Sequence, residues 1–291
     1  MTSPLLSVII PVYQAEPLGR CLAALEGQSL PRDAYEVIVV DNGSQDDVAA
    51  ILRRFPLVRL VVEPTVGSYA ARNAGVREAR GTILAFTDAD CVPTTGWLAA
   101  GAKAFEDGPE RLVVGGRVTL FWAEAAPNPW ELYDLLVAFD QEALLRTRRF
   151  GVTANLFVRQ ELFTAVGPFN QALRSGGDRD WGERAAAFGC ELRYAPEAEV
   201  GHPARASLAA LDDKHRRLIG GAWRSARHPF RLLGKAPLLE LVDTLYFARL
   251  LWRRREMGAA LLARTMGVRL AIGGRRLHEY LRLARGGEPR R

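Results

Sequence analysis

Three short acidic clusters carry the side chains best suited to chemistry. The first is Thr87-Asp88-Ala89-Asp90. In an extended backbone residues i and i+2 point the same way, so Asp88 and Asp90 present two carboxylates to one side. Such a pair can hold one hard divalent cation, Mg2+ or Mn2+, with open positions left for phosphate oxygens. Two solvated carboxylates in a turn are the plain alternative. The second cluster is Gly176-Gly177-Asp178-Arg179-Asp180-Trp181. Asp178, on a glycine-flanked turn, can serve as general base for an acceptor hydroxyl, or it can cap the helix that follows. Trp181 offers an apolar platform to a sugar face. The third is Asp41-Asn42-Gly43-Ser44, either an Asx turn or a carboxylate accepting from a nucleobase edge. Arg72-Asn73 adds a guanidinium whose planar fork suits a base or a phosphate. His202 is a structural histidine, or a metal ligand if the fold brings it to Asp90.

The elements that must position these residues alternate between strand and helix. Leu5 to Val12, Tyr35 to Asp41, Val58 to Val62 and Thr82 to Thr87 are apolar runs rich in β-branched residues and read as buried parallel strands. Helices are expected from Pro17 to Gln28, through Leu52 with Asp46 as cap, from Ser68 to Arg80 with Gly81 as the stop, and from Trp97 to Phe105. This order implies an α/β fold with right-handed βαβ units. Ligands in such sheets bind beyond the carboxyl ends of the strands, where Asp41 and the Asp88/Asp90 pair stand. Further along, a strand is expected from Leu112 to Leu120, a helix from Trp130 to Leu145, a strand from Thr153 to Val158, a helix from Arg179 to Phe188, and two short strands, Glu191 to Tyr194 and Glu199 to His202. From Leu208 onward the chain reads as helix.

The net charge of +6 is unevenly spread. Residues 214–291 carry 19 Lys/Arg and 5 Asp/Glu, whereas residues 1–213 carry 20 and 28. The acidic front argues against a nucleic-acid binder, and the basic tail suggests anionic lipid or another acidic partner. Three cysteines without a CxxC spacing fit a reducing cytoplasmic setting. No apolar run is long enough to span a membrane.

Four blocks in order resemble the family 2 glycosyltransferases. They are Ser7-Val8-Ile9-Ile10-Pro11-Val12-Tyr13; Glu36 to Ser44; Ala71-Arg72-Asn73-Ala74-Gly75 through Gly81 to Asp90; and Gly177-Asp178-Arg179-Asp180-Trp181 with Arg184, closing on His202. The resemblance covers roughly residues 5–205. It implies the GT-A fold, a Rossmann-like, mostly parallel sheet flanked by helices, here with a C-terminal helical extension. The expected domains are 1–213, with a nucleotide-binding half of about 1–120 and an acceptor-side half of about 121–213, and the extension 214–291. The implied reaction is inverting transfer of one sugar from a nucleoside diphosphate sugar, UDP-linked in the first instance, to a hydroxyl acceptor in cell-envelope polysaccharide or glycolipid synthesis. By resemblance, Pro11, Val12, Tyr13, Asp41, Arg72, Asp88 and Ala89 bind the donor nucleotide. Asp90, Asp88 and His202 bind Mn2+ or Mg2+. Asp178 is the base with Asp180 as fallback, and Gly177 and Trp181 lie on the acceptor side. Gly177 departs from the family, whose usual residue there is Glu. That departure is the one support for a non-catalytic nucleotide-sugar-binding or scaffold member. A sugar nucleotidyltransferase needs a Gly-rich phosphate loop after the first strand, where this chain has Tyr13-Gln14-Ala15-Glu16. The Gln-x-x-Arg-Trp block of processive synthases has no match, so transfer of single sugars is expected.

The tail has two readings. Leu238 to Trp252 and Ala259 to Leu283 place arginines beside apolar stripes, which fits residues 236–291 lying on an anionic membrane, near a lipid-linked acceptor on its cytoplasmic face. A helical extension packed on the protein or forming a homodimer is the other. Specificity falls between Phe121 and Gly177, where Arg146 to Arg149 is expected as a loop closing over the donor.

Overall fold

The computed structural model describes residues 4–226 and 228–288; the first three residues and the last three of the basic tail lie outside the described residues. In chain order the first elements are β1 (Leu6–Val12), α1 (Leu18–Glu26), β2 (Tyr35–Asp41), α2 (Val48–Leu52), β3 (Val58–Val62), α3 (Ser68–Glu78), β4 (Ile83–Thr87), β5 (Val92–Pro93), α4 (Trp97–Lys103) and β6 (Leu112–Phe121). Then come α5 (Pro129–Val137), α6 (Gln141–Ala143), β7 (Asn155–Arg159), α7 (Gln160–Val166), α8 (Gly177–Ala187), β8 (Glu191–Pro203), α9 (Leu208–Ser225), α10 (Pro229–Trp252) and α11 (Ala259–Ala284). The eight strands form one sheet in the order β3-β2-β1-β4-β7-β6-β8-β5. β3, β2, β1 and β4 are mutually parallel. β7 runs antiparallel to β4 and β6, and β5 antiparallel to β8.

The continuous apolar run of β1 follows from its burial on both faces. Leu6, Val8, Ile10 and Val12 pack against Leu18, Cys21, Leu22 and Leu25 of α1 and Trp97 and Leu98 of α4. Ile9 joins the opposite face with Leu84, Phe86, Tyr69 and the aromatics Phe163, Phe169 and Trp181. Ala71 and Ala74 of α3 cover Ile38 and Val40 of β2. All three cysteines are buried free thiols.

Several local readings change. Asp47, not Asp46, caps α2, accepting from the Ala50 amide at 2.9 Å. Asp46 instead accepts from the Ala15 amide at 3.0 Å. α3 ends before Gly81, at Ala79, whose backbone is extended. Gly81 is required for a different reason: a Cβ there would lie 2.5 Å from the Leu6 carbonyl carbon of β1. The helix expected to run to Leu145 stops at Val137, and Phe139 takes a left-handed φ of 53°. The Arg146 to Arg149 stretch is a π-helical turn, Leu144–Arg148, closed by Arg149 at φ 59°, rather than a loop. α7 was not anticipated, and the two short strands after α8 are one, β8.

The chain divides into two compact units. Met1–Thr119, Phe139–Leu173 and Gly177–His202 make the sheet unit; Leu120–Ala138, Arg174–Gly176 and Pro203–Arg291 make a helical unit. The helical unit thus takes in α5, a helix the sequence reading placed in the acceptor-side half. α5 begins with a capping box, Asn128 with Glu131, and Pro129 at its first position. Its Leu132 and Tyr133 pack with Leu211, Phe247, Leu251, Val268 and Ile272 from α9, α10 and α11. Buried charges here are paired. Asp134 accepts from Lys214 at 2.7 Å and Arg205 at 3.1 Å. Burial alone would push its carboxyl up, but these two cations hold it below the usual carboxylate range. Arg269 meets Glu240 at 2.8 Å. Tyr133 and His215 share a hydrogen bond of 3.1 Å, and burial, then Arg276 and Lys214, pushes the imidazole down to about 3.

Candidate active site

The site forms beyond the carboxyl ends of β1, β2 and β4, where βαβ geometry leaves backbone and loop groups open to a ligand. Asp41 is the last residue of β2, and its Oδ1 accepts from the Ser44 amide at 2.9 Å, closing an Asx turn. Asn42, buried, does more than the sequence suggested. Its Nδ2 donates to the Glu63 and Thr65 carbonyls at 2.8 and 2.9 Å, and its Oδ1 accepts from the Gly67 amide at 2.6 Å. One side chain therefore ties the end of β2 to the loop after β3 and to the start of α3. Pro11 and Val12 end β1, and Tyr13 beside them is exposed.

α3 organises the rest. Tyr69, Arg72 and Asn73 are spaced i, i+3 and i+4, so they share one face. Asn73 exchanges two hydrogen bonds with the Phe169 backbone, at 2.9 and 3.0 Å, and pins the segment that leads to α8. Arg72 is buried and its Nη2 is ion-paired with Asp88 Oδ1. The Arg72 guanidinium also sits over the Tyr69 ring at 5.8 Å. Tyr69, whose hydroxyl is kept protonated by burial and by the nearby Asp178 charge, donates to Asp178 Oδ1 at 3.3 Å.

Asp88, Asp90 and His202 each offer a ligand atom, and these atoms lie within 4.8 Å of one another. His202 Nε2 is 3.6 Å from Asp90 Oδ2. Sheet topology produces this meeting. β5 starts two residues after Asp90, and Val92 pairs with Gly201, the neighbour of His202. Phe139 packs on the imidazole at 4.7 Å between ring centroids. Asn155 fixes β8 beside this point: its Nδ2 donates to the Arg117 and Ala198 carbonyls at 2.7 and 2.8 Å, and its Oδ1 accepts from Trp97 Nε1 at 2.8 Å. Two carboxylates and one imidazole suit Mn2+ or Mg2+ better than a soft metal. Ala89, between the two aspartates, is buried.

Asp178 opens α8 and accepts from the Arg179 amide at 2.9 Å. Burial pushes its carboxyl up, opposed by the Arg179 amide, the Arg72 charge and the Tyr69 hydroxyl. A carboxylate raised in this way is a stronger proton acceptor. Asp180 differs: it is paired with Arg184 one turn along the helix, at 3.2 Å. Trp181 is not a sugar platform. It is 1% exposed, stacks on Phe163 at 5.4 Å and donates from Nε1 to the Gly167 carbonyl at 2.9 Å. Gly177 is set by Tyr69. A Cβ at 177 would stand 2.6 Å from Tyr69 Cε2, so the aromatic ring fills the space a side chain there would need.

Asn42, Tyr69 and Asn155 carry polar work that the sequence reading did not assign. Their signal was faint. Tyr69 sits one turn before Arg72, and Asn155 is a lone amide beside the apolar run Leu156-Phe157-Val158.

Comparison with known proteins places the chain in a family and a fold. The model of the glycosyl transferase family 2 matches residues 7–173. Glycosyltransferase AglE of Haloferax volcanii is 41% identical over 210 residues, covering 70% of this chain and 68% of that one. The pre-mycofactocin glycosyltransferase of Mycobacterium tuberculosis is 29% identical over 288 residues, covering 96% of this chain and 58% of that one. The fold is shared with the mannosyltransferase PcManGT of Pyrobaculum calidifontis, solved in complex with GDP-Man and Mn2+, at a TM-score of 0.61 and 23% identity over 99% of this chain and 89% of that one. On the family match, the sheet and the close relative, the chain belongs to the family 2 glycosyltransferases and has their GT-A fold.

Proposed function

We propose that the chain is an inverting, metal-dependent transferase that moves one sugar from a nucleoside diphosphate sugar to a hydroxyl acceptor. The observation that carries this reading is the convergence of Asp88, Asp90 and His202 within 4.8 Å, with Asp178 tied through Tyr69 to the helix whose Arg72 holds Asp88. Asp90, Asp88 and His202 would hold the cation, which when bound neutralises charge on the departing diphosphate. The presence of GDP-Man and Mn2+ with the structurally similar mannosyltransferase supports that assignment. Backbone at Pro11, Val12 and Tyr13, the carboxylate of Asp41, and Ala89 shape the nucleotide pocket. Arg72 fixes the Asp88 carboxylate and screens its charge. Asp178 takes the proton of the acceptor hydroxyl as that oxygen bonds the anomeric carbon and the bond to the diphosphate breaks. No covalent intermediate is needed, so the anomeric centre inverts. Asp180, held by Arg184, steadies the first turn of α8. All these residues fall within the sheet unit, which supports reading that unit as the catalytic one. UDP-sugars are the first donors to test, with cell-envelope glycoconjugates as acceptors.

The test is donor hydrolysis and transfer over a panel of UDP- and GDP-sugars with Mn2+. Asp178→Asn is expected to lower transfer by about 10²–10⁴-fold while leaving donor binding intact. Asp90→Ala is expected to remove both. Turnover indifferent to chelation and to both substitutions would overturn the reading.

A further inference from the structure

The arginines of the C-terminal helices are not alike. Four of the five in α11 are taken up by acids of the protein: Arg269 and Arg276 meet Glu240 at 2.8 and 2.9 Å, Arg275 meets Asp212 at 3.1 Å, and Arg282 meets Glu279 at 2.6 Å, while Arg264 is exposed. α10 is built differently. Its Ala236, Glu240, Phe247 and Leu251 are buried. On the opposite face Leu238, Leu241, Leu245 and Trp252 are 66, 57, 64 and 67% exposed, and Val242 and Tyr246 lie beside them, also exposed. These residues recur at three- and four-residue steps, so they form one row, about 21 Å long at 1.5 Å per residue. Arg231 and Lys235 continue the row toward the start of the helix, Arg249 lies within it, and Arg253 follows it; all four are exposed. No acidic residue shares this face. Asp243 lies to its side and meets Arg276 at 3.4 Å.

We infer that the outward face of α10 lies on an anionic bilayer surface, with the leucines and Trp252 in the headgroup–acyl boundary and the four cations on lipid phosphates. A contiguous apolar row of this size is rarely left to water. Its cationic ends match an acidic surface and oppose a second copy. Two copies joined on this face would set cations against cations along the row in either direction, with no acid to relieve them. Among the described residues no helix is long and apolar enough to cross a membrane, so the contact is an interfacial one. This inference is independent of the glycosyl-transfer reading.

The experiment is sedimentation of the full chain with vesicles of phosphatidylcholine alone and with 30% phosphatidylglycerol, as a function of salt, for wild type, for Leu241→Gln/Leu245→Gln and for Arg249→Gln/Arg253→Gln. Circular dichroism and thermal melting serve as fold controls, since the altered side chains are exposed. Partitioning is expected to be at least ten-fold stronger on the anionic vesicles and to weaken with salt. Each double substitution is expected to reduce it about ten-fold or more without moving the melting temperature. Wild type left in the supernatant, or pelleting unchanged by either variant, overturns the inference. So does a dimer in analytical ultracentrifugation that Leu241→Gln/Leu245→Gln abolishes, because the face then belongs to a second copy.

Discussion

Gly177→Ala tests how tightly the candidate base is built. An added Cβ would stand 2.6, 2.7 and 2.8 Å from three carbons of the Tyr69 ring. Ordinary carbon contacts lie at about 3.5–4.0 Å, so the ring or the first turn of α8 must retreat by roughly 1 Å. The ring has little room to do so. Tyr69 is buried, packs on Phe169 at 5.7 Å and carries Arg72 over its other surroundings at 5.8 Å. Overpacking of this kind costs about 1–3 kcal/mol. The better helix propensity of alanine recovers less than about 1 kcal/mol, because position 177 is the first of the helix. The net expectation is a loss of about 1–2 kcal/mol, read as a melting temperature lower by about 2–8 °C. The diagnostic step is the double-mutant cycle with Tyr69→Ala. Once the ring is gone, Gly177→Ala is expected to be neutral or stabilising, giving a coupling of about 1–3 kcal/mol. Gly177→Glu, which restores the residue usual in the family, is expected to fold only in the Tyr69→Ala background. An equal melting shift in both backgrounds would refute the claim that Tyr69 dictates Gly177.

Other consequences concern pH and buried polar groups. The Asp178 carboxyl is raised by burial, so the native state holds its proton more readily than the unfolded chain, and its stability contribution falls as pH rises through and above the usual carboxylate range. Asp178→Asn is therefore expected to be more stable than wild type at pH 7 in urea unfolding, with the advantage shrinking toward pH 4. His215 is pushed down to about 3, so protons bind the unfolded chain first below about pH 6.5, and stability falls with a slope of up to about 1.4 kcal/mol per pH unit. His215→Gln is expected to flatten the stability profile between pH 6 and 4. Asn155→Ala removes three hydrogen bonds that join Trp97, β6 and β8. Each buried group left unpaired costs about 1–3 kcal/mol, so a loss of about 3 kcal/mol or more is expected in the same unfolding assay.

What the sequence revealed tracks how local each feature is. The positions of β1, β2, β3 and β4 were legible because each is a short apolar run rich in β-branched residues. The Asp88–Asp90 pair was legible because it too is local, two residues in the turn just after β4. His202 became a neighbour of Asp90 only through the pairing of β5 with β8, a contact across more than a hundred residues that no periodicity reports. Trp181 misled because its ring suits a sugar platform and a core equally well, and the aromatic cluster of Phe163 and Phe169 decides between them. The helix break at Phe139 had no glycine or proline to announce it. The arginines of the tail read as one basic surface, yet Arg269, Arg275 and Arg276 of α11 pair with Glu240 and Asp212 far away in sequence, which is why the proposed lipid contact falls to α10.

Asp88, Asp90 and His202 are proposed as a cation site for a nucleoside diphosphate. Calorimetric titration of UDP and of GDP into the full chain, with Mn2+ and with EDTA, tests it most directly, because it needs neither the acceptor nor the sugar. At least one nucleotide is expected to bind only with the cation, and Asp90→Ala and His202→Ala are each expected to weaken that binding ten-fold or more, while Asp180→Asn leaves it unchanged. Nucleotide binding that survives EDTA and is untouched by Asp90→Ala would contradict the account.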